Sequence, residues 1–141
     1  MELSEEEIKL ASFFSHATKV LPSLVAVFNN SVSFVIDKKY LPLVIGKNGE
    51  NIKKLEKKIN KKIYVFCDSD DLEEFTKNLF SDIKILQMEI NNIMEDKVVT
   101  VFIPLKDKKK VIGKERARIN LMETLLKRKF NASLFVKTKV I

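Results

Sequence analysis

The segment Val44-Ile45-Gly46-Lys47-Asn48-Gly49, closed by Ile52, returns 67 residues later as Val111-Ile112-Gly113-Lys114-Glu115-Arg116, closed by Ile119. Between Val44–Ile59 and Val111–Leu126 six positions are identical, and Val32–Ile36 aligns with Val99–Ile103, so the likeness reaches beyond the loop. A period of this size in a chain of 141 residues means two units on one plan, placed at residues 1–69 and 70–141. Units of about 70 residues bury only roughly 60% of the surface their unfolded chains expose, so they are marginal alone and are expected to pack as a pair. Three Gly and three Pro in the whole chain leave no flexible linker between them. The acidic run ending at Asp71 marks the boundary.

Charge follows the repeat. Residues 38–62 carry nine Lys against Glu50 and Glu56, and residues 106–129 carry ten Lys or Arg against Asp107, Glu115 and Glu123, each window netting +7. The whole chain is also +7, so the remainder nets −7. Solubility alone does not demand such confinement, whereas a polyanion-binding surface does. No apolar run has the length of a membrane span. The opening Met-Glu-Leu-Ser-Glu-Glu-Glu lacks the basic and apolar regions of a secretory signal, so a cytoplasmic location is expected. The lone Cys67 and lone His16 allow no internal disulfide and no metal-ligand spacing, and no metal or cofactor is expected.

The element pattern repeats as well. Ser4-x-x-Glu7 is a capping box for a helix over 5–16. Strands Leu24–Phe28 and Val32–Ile36 follow, joined at Asn29-Asn30-Ser31, and Pro42 opens a short helix that stops at Gly46. Beyond the loop, Ile52, Leu55 and Ile59 bury one helical face and turn Lys53, Lys54, Lys57 and Lys58 outward, before a strand over Lys61–Cys67. In the second half Asp70 is placed to cap a helix carrying Leu72, Phe75 and Leu79, with Glu73 completing a box. Strands Ile83–Ile90 and Lys97–Ile103, a short helix to Gly113, a helix carrying Ile119, Met122, Leu126 and Phe130, and a strand near Ser133–Val140 complete the plan. Asn131 reads as a helix C-cap.

A glycine lacks the Cβ that would hold a ligand away and adopts backbone angles closed to other residues, so Gly46-Lys47-Asn48-Gly49 lets peptide N–H groups approach a phosphate. The helix that follows offers unpaired N–H groups and the positive end of its dipole. Ile45-Gly46-Lys47-Asn48-Gly49-x-x-Ile52 resembles the I-G-x-x-G-x-x-I signature of KH domains, single-stranded RNA-binding modules whose GXXG loop clamps about four nucleotides. The order of elements resembles the type II arrangement. Two such units without a linker, opened by Leu3-Ser4-Glu5-Glu6-Glu7 and joined by Asp70–Phe75, resemble the KH pair of the NusA transcription-factor family in its short archaeal form. The resemblance implies an α+β fold of two tandem type II KH domains, each α-β-β-α-α-β, with a mixed three-stranded sheet and helices on one face. It implies single-stranded RNA as ligand, RNA polymerase as a candidate partner, and a monomer acting on nascent transcripts in elongation, termination or antitermination.

The residues expected to contact RNA are Ile45, Gly46, Lys47, Asn48, Gly49, Asn51, Ile52, Lys53 and Lys54 in the first half, and Gly113, Lys114, Glu115, Arg116 and Arg118 in the second. Arg116 stands where the second glycine belongs. A left-handed conformation costs a non-glycine residue about 1–2 kcal/mol, so this loop is expected to relax toward a helical start. Lys114, Arg116 and Arg118 would then compensate through charge-assisted phosphate contacts. Neither loop has the G-x-x-x-x-G-K-[ST] spacing of a nucleotide-hydrolysing P-loop, and no nucleophile, base and orienter set is present, so no enzyme activity is expected. Two other settings fit the same residues: ribosomal RNA maturation or the ribosome, and a protein scaffold whose basic faces bind an acidic partner.

Overall fold

The computed structural model describes residues 3–141 and divides into two compact units, Met1–Ser69 and Asp70–Ile141. The first runs α1 (Glu5–Thr18), β1 (Leu24–Phe28), β2 (Ser31–Ile36), α2 (Leu41–Ile45), α3 (Glu50–Ile59) and β3 (Lys62–Cys67). The capping box forms as the sequence predicts: the Ser4 hydroxyl accepts the Glu7 N–H at 3.1 Å, and Glu7 accepts the Ser4 N–H at 2.9 Å. Its other carboxylate oxygen accepts the N–H of Val27 at 3.2 Å. Since β1 is an edge strand, this bond ties α1 to the sheet through a group that would otherwise lie open to another chain.

A two-residue turn with Asn29 at φ 50° makes β1 and β2 antiparallel, whereas the α2-loop-α3 crossover returns β3 parallel to β2. The sheet order is β1-β2-β3. Val25, Val32, Phe34, Ile36 and Ile63 pack with Phe14 of α1, Val44 of α2 and Leu55 of α3 into one core. Phe14 and Phe34 stack with ring centres 4.1 Å apart.

The second unit repeats this order as α4 (Leu72–Leu79), β4 (Gln87–Ile93), β5 (Asp96–Pro104), α5 (Lys108–Ile112), α6 (Ala117–Phe130) and β6 (Ala132–Lys139). Its sheet is again mixed, with β4 antiparallel and β6 parallel to β5. Two expectations are corrected here. The cap of α4 is Asp71, which accepts the Glu74 N–H at 3.0 Å, so the helix starts one residue later than Asp70 and Glu73 suggest. Asp70 instead meets Lys129 at 3.2 Å. The strand expected from Ile83 begins only at Gln87. Ile83 spends its N–H on the Phe80 carbonyl in a turn, at 2.9 Å, and its side chain is buried, as is that of Phe80. Apolar residues at alternate positions can thus serve a turn that plugs a core as well as a strand.

Asn131 closes α6 in the left-handed conformation, as its sequence context predicts, and donates to Asp96 at 3.2 Å. Cys67 is half-buried, and burial pushes its thiol pKa up, the opposite of what activates a nucleophile. His16 is exposed on α1. No helix among the described residues is long and apolar enough to cross a membrane.

Glu7→Ala strips the partner from two backbone N–H groups at once, one of them on the sheet edge. It is expected to lower the stability of the first unit by about 1 kcal/mol, the net contribution of hydrogen bonds to half-buried groups, in urea unfolding monitored by circular dichroism.

Candidate nucleic-acid interface

The two repeated loops have one backbone conformation. In the first, Gly46 stands at φ 75°, ψ 176°, Asn48 at φ 55°, ψ 28° and Gly49 at φ 73°, ψ 17°. In the second, Gly113 stands at φ 77°, ψ 169°, Glu115 at φ 54°, ψ 30° and Arg116 at φ 64°, ψ 21°. The internal hydrogen bonds match as well: Gly49 N–H to the Gly46 carbonyl and Arg116 N–H to the Gly113 carbonyl, both at 3.2 Å. The expected relaxation of the second loop therefore does not occur. Arg116 takes up the left-handed conformation and keeps the loop shape despite its Cβ.

The two glycines of the first loop are there for different reasons. A Cβ on Gly46 would lie 2.7 Å from Cγ of Asn51, and one on Gly113 would lie 2.8 Å from Cβ and 2.9 Å from the backbone N of Arg118. Those positions need glycine for space as well as for φ. A Cβ on Gly49 would meet nothing within 4 Å, so only its positive φ favours glycine. That is why the second position tolerates arginine while the first does not change.

Each loop is braced by the same position of the following helix, with different chemistry. Asn51 donates its amide to the Leu43 carbonyl at 3.0 Å, holding the end of α2 against the start of α3. Arg118, its counterpart, is 5% exposed and does not face solvent as a phosphate ligand should. Its guanidinium reaches Asp82 at 2.9 and 2.6 Å and the Leu79 carbonyl at 3.0 Å. Arg118 is thus withdrawn from the set of expected RNA contacts, because its fork is already engaged by a carboxylate and a carbonyl. Sequence inspection missed Asp82, the residue that captures it, since the pair is separated by 36 positions.

The Arg118 hydrogen bond holds the Asp82 carboxyl down at about 2, against an ordinary value of 3.8, with the Arg118 and Lys110 charges acting in the same sense. Lys110 lies 3.5 Å from the same carboxylate.

The other expected residues remain at the loops. Lys47 and Asn48 are exposed at the tip of the first, and Gly46, Gly49 and Ile45 are half-buried at its base. Ile52 is half-buried and turns toward the core, and Lys53 is exposed. Lys54 lies 3.2 Å from Glu50, an exposed pair one turn apart that an anion can break cheaply. Lys114, Glu115 and Arg116 are exposed on the second loop, with Gly113 half-buried beneath them. Glu115 sets a carboxylate where the first loop has an amide, so it opposes an anion through its side chain. No side chain caps either α3 or α6, whose first turns directly follow the loops. Each unit therefore joins a tight glycine-based loop, an uncapped helix start and exposed cations, an arrangement suited to holding a phosphodiester.

Substitutions within the second loop should move stability in opposite directions. Arg116→Gly removes the left-handed strain and is expected to raise stability by up to about 1 kcal/mol, while Gly113→Ala forces a Cβ onto the Arg118 backbone and should lower it by about 1–3 kcal/mol. Urea unfolding of both variants checks the sign. Asp82 predicts a pH dependence. Because its folded-state pKa is depressed, its stabilisation is complete above about 3.8 and is lost as pH falls through that value toward about 2. The stability gap between the wild type and Asp82→Asn is expected to be constant near neutral pH and to close across that acid window.

Residues 7–70 match the family model described as the KH domain. The chain is 31% identical over 129 residues to "Probable transcription termination protein NusA" of Methanocaldococcus jannaschii, spanning 91% of this chain and 70% of that one. A protein of the same name from Thermoplasma acidophilum is 31% identical over 102 residues, 72% of this chain and 71% of that one. The solved structure "Crystal structure of APE1850" has a TM-score of 0.77 at 28% identity, covering 97% of this chain and 100% of that one. With a loop of this geometry inside the matched region and an archaeal relative aligned along most of its length, the chain belongs to the archaeal NusA-like family of KH proteins.

Proposed function

We propose that this protein is a single-stranded RNA-binding factor of transcription, built as two tandem type II KH domains at residues 1–69 and 70–141, acting as a monomer on nascent transcripts. The observation that carries this reading is the duplicated loop. Two segments of different sequence hold the same three positive-φ residues at the head of a helix without a side-chain cap, each among exposed cations. The names of the relatives, which refer to transcription termination, support the transcriptional setting and make RNA polymerase the candidate protein partner.

The two loops contribute unequally on this reading. In the first, Gly46 to Gly49 brings backbone N–H groups to the phosphates, and Lys47, Lys53 and Lys54 neutralise them. The second keeps the backbone shape and two exposed cations, Lys114 and Arg116, but sets Glu115 among them. It therefore holds RNA more weakly than the first.

Replacing Lys47 and Asn48 by Asp is expected to abolish most single-stranded RNA binding while leaving the circular dichroism spectrum unchanged, since both side chains are exposed; retained affinity would remove the first loop from the interface. If about three phosphates are neutralised at the first loop and two at the second, log K should fall against log salt with a slope of about −3.5. A slope near zero in titrations of a single-stranded oligonucleotide would end the RNA reading. Arg116→Gly should flatten the slope by about 0.7, through loss of one cation at unchanged loop geometry.

A further inference from the structure

Side chains alternate between the two faces of a strand, and the second sheet treats its faces differently. Val99, Val101 and Leu134 are buried on one. The other carries Thr100, which is buried, and half-buried Phe102 of β5 beside exposed Phe135 and Lys137 of β6, because Thr100 pairs with Phe135 and Phe102 with Lys137. Phe102 and Phe135 are thus diagonal neighbours, a separation of about 7–8 Å between strands. Phe135 is 56% exposed. The ammonium groups of Lys139 and Lys137 stand 4.8 and 6.0 Å from the centre of the Phe102 ring. Lys139 also donates to the Gln87 side chain at 3.3 Å.

This face therefore presents one open aromatic ring with two cations held beside it over a second ring. One acid, Glu89, pairs with Thr100 on this face and accepts a hydrogen bond from Gln87 at 3.0 Å. An apolar protein surface docking here would have to bury two ammonium groups without a matching pair of carboxylates, which is costly. A ligand that is anionic along its length and carries flat rings meets both features, as single-stranded nucleic acid does when bases stack on aromatics of an open sheet.

We propose that the outer face of the second sheet is an additional contact surface for single-stranded RNA, on which a base stacks against Phe135 while Lys137 and Lys139 hold the flanking phosphates. Phe102 acts as the ring on which the lysines rest. The proposal rests on the RNA-binding reading of the loops but uses none of their residues. It adds a contact outside the loops, so its effect is read with a strand longer than one loop can hold.

The test compares the full chain bound to an oligoribonucleotide of roughly twenty residues with one of about five, near the four nucleotides that a GXXG loop clamps. Phe135→Ala is expected to weaken binding of the long RNA about 5- to 150-fold, the range for one lost stacking contact, and to leave the short RNA unaffected. Phe135→Tyr should restore the long-RNA affinity. Replacing Lys137 and Lys139 together by Ala should flatten the salt slope for the long RNA by about 1.4. Unchanged long-RNA affinity in Phe135→Ala, alongside loss of binding in Lys47→Asp, overturns the proposal and leaves the loop reading standing. The reverse pattern upholds this face and removes the first loop. Should Phe135→Ala keep full RNA affinity but abolish a wild-type dimer in sedimentation, the face is an interface between copies and the proposal also falls.

Discussion

The close approach of each loop to the helix that follows it is the constraint on which both units depend. At Gly46 and Gly113 the chain must turn with positive φ while passing within contact of residues 51 and 118, and any Cβ there would collide with them. The turn decides where α2 ends and α3 begins, and likewise α5 and α6. It thereby sets the crossover that brings β3 back parallel to β2 and β6 back parallel to β5. The parallel return of the last strand and the exposed loop tip of each unit both depend on a passage too narrow for a side chain.

The two copies meet this constraint by different chemistry. In the first, a short amide suffices, because Asn51 needs only to reach the Leu43 carbonyl. In the second, the long side chain of Arg118 is buried and directed to Asp82 and the Leu79 carbonyl, linking the loop to the end of α4 and the turn that follows it. A buried guanidinium without a partner is costly, so Asp82 and Arg118 stand or fall as a pair. The exchange has a consequence for charge: the cation at the start of α6 is part of the scaffold, and Lys114 and Arg116 are the exposed cations of the second loop.

The two sides of the second sheet show a comparable division of labour. Its buried side uses β-branched and aliphatic residues, as a core demands, and gives no reason for the rings on the other side. Phe102 is half-buried with two lysines gathered over its ring, and Phe135 is left largely in water. Such a surface costs hydration energy in isolation, which is why it is read as a binding face.

Much of this protein is determined by its sequence alone. The repeat, the capping box at Ser4 and Glu7, the hairpin turn at Asn29 and the C-cap at Asn131 rest on contacts within a few residues, and local chemistry dictates them. The glycine loop was legible for the same reason, and so were its exposed lysines. What tertiary structure decided involves partners far apart along the chain or faces created only by pairing strands. The capture of Arg118 by Asp82 spans 36 residues, and it turned an expected ligand contact into a brace. The conformation of Arg116 was settled by the surrounding scaffold, which over-rides the left-handed penalty that a local reading weighs as decisive. The meeting of Phe102, Phe135, Lys137 and Lys139 exists only once β5 and β6 are in register, because a strand has no outer face until a neighbour defines it.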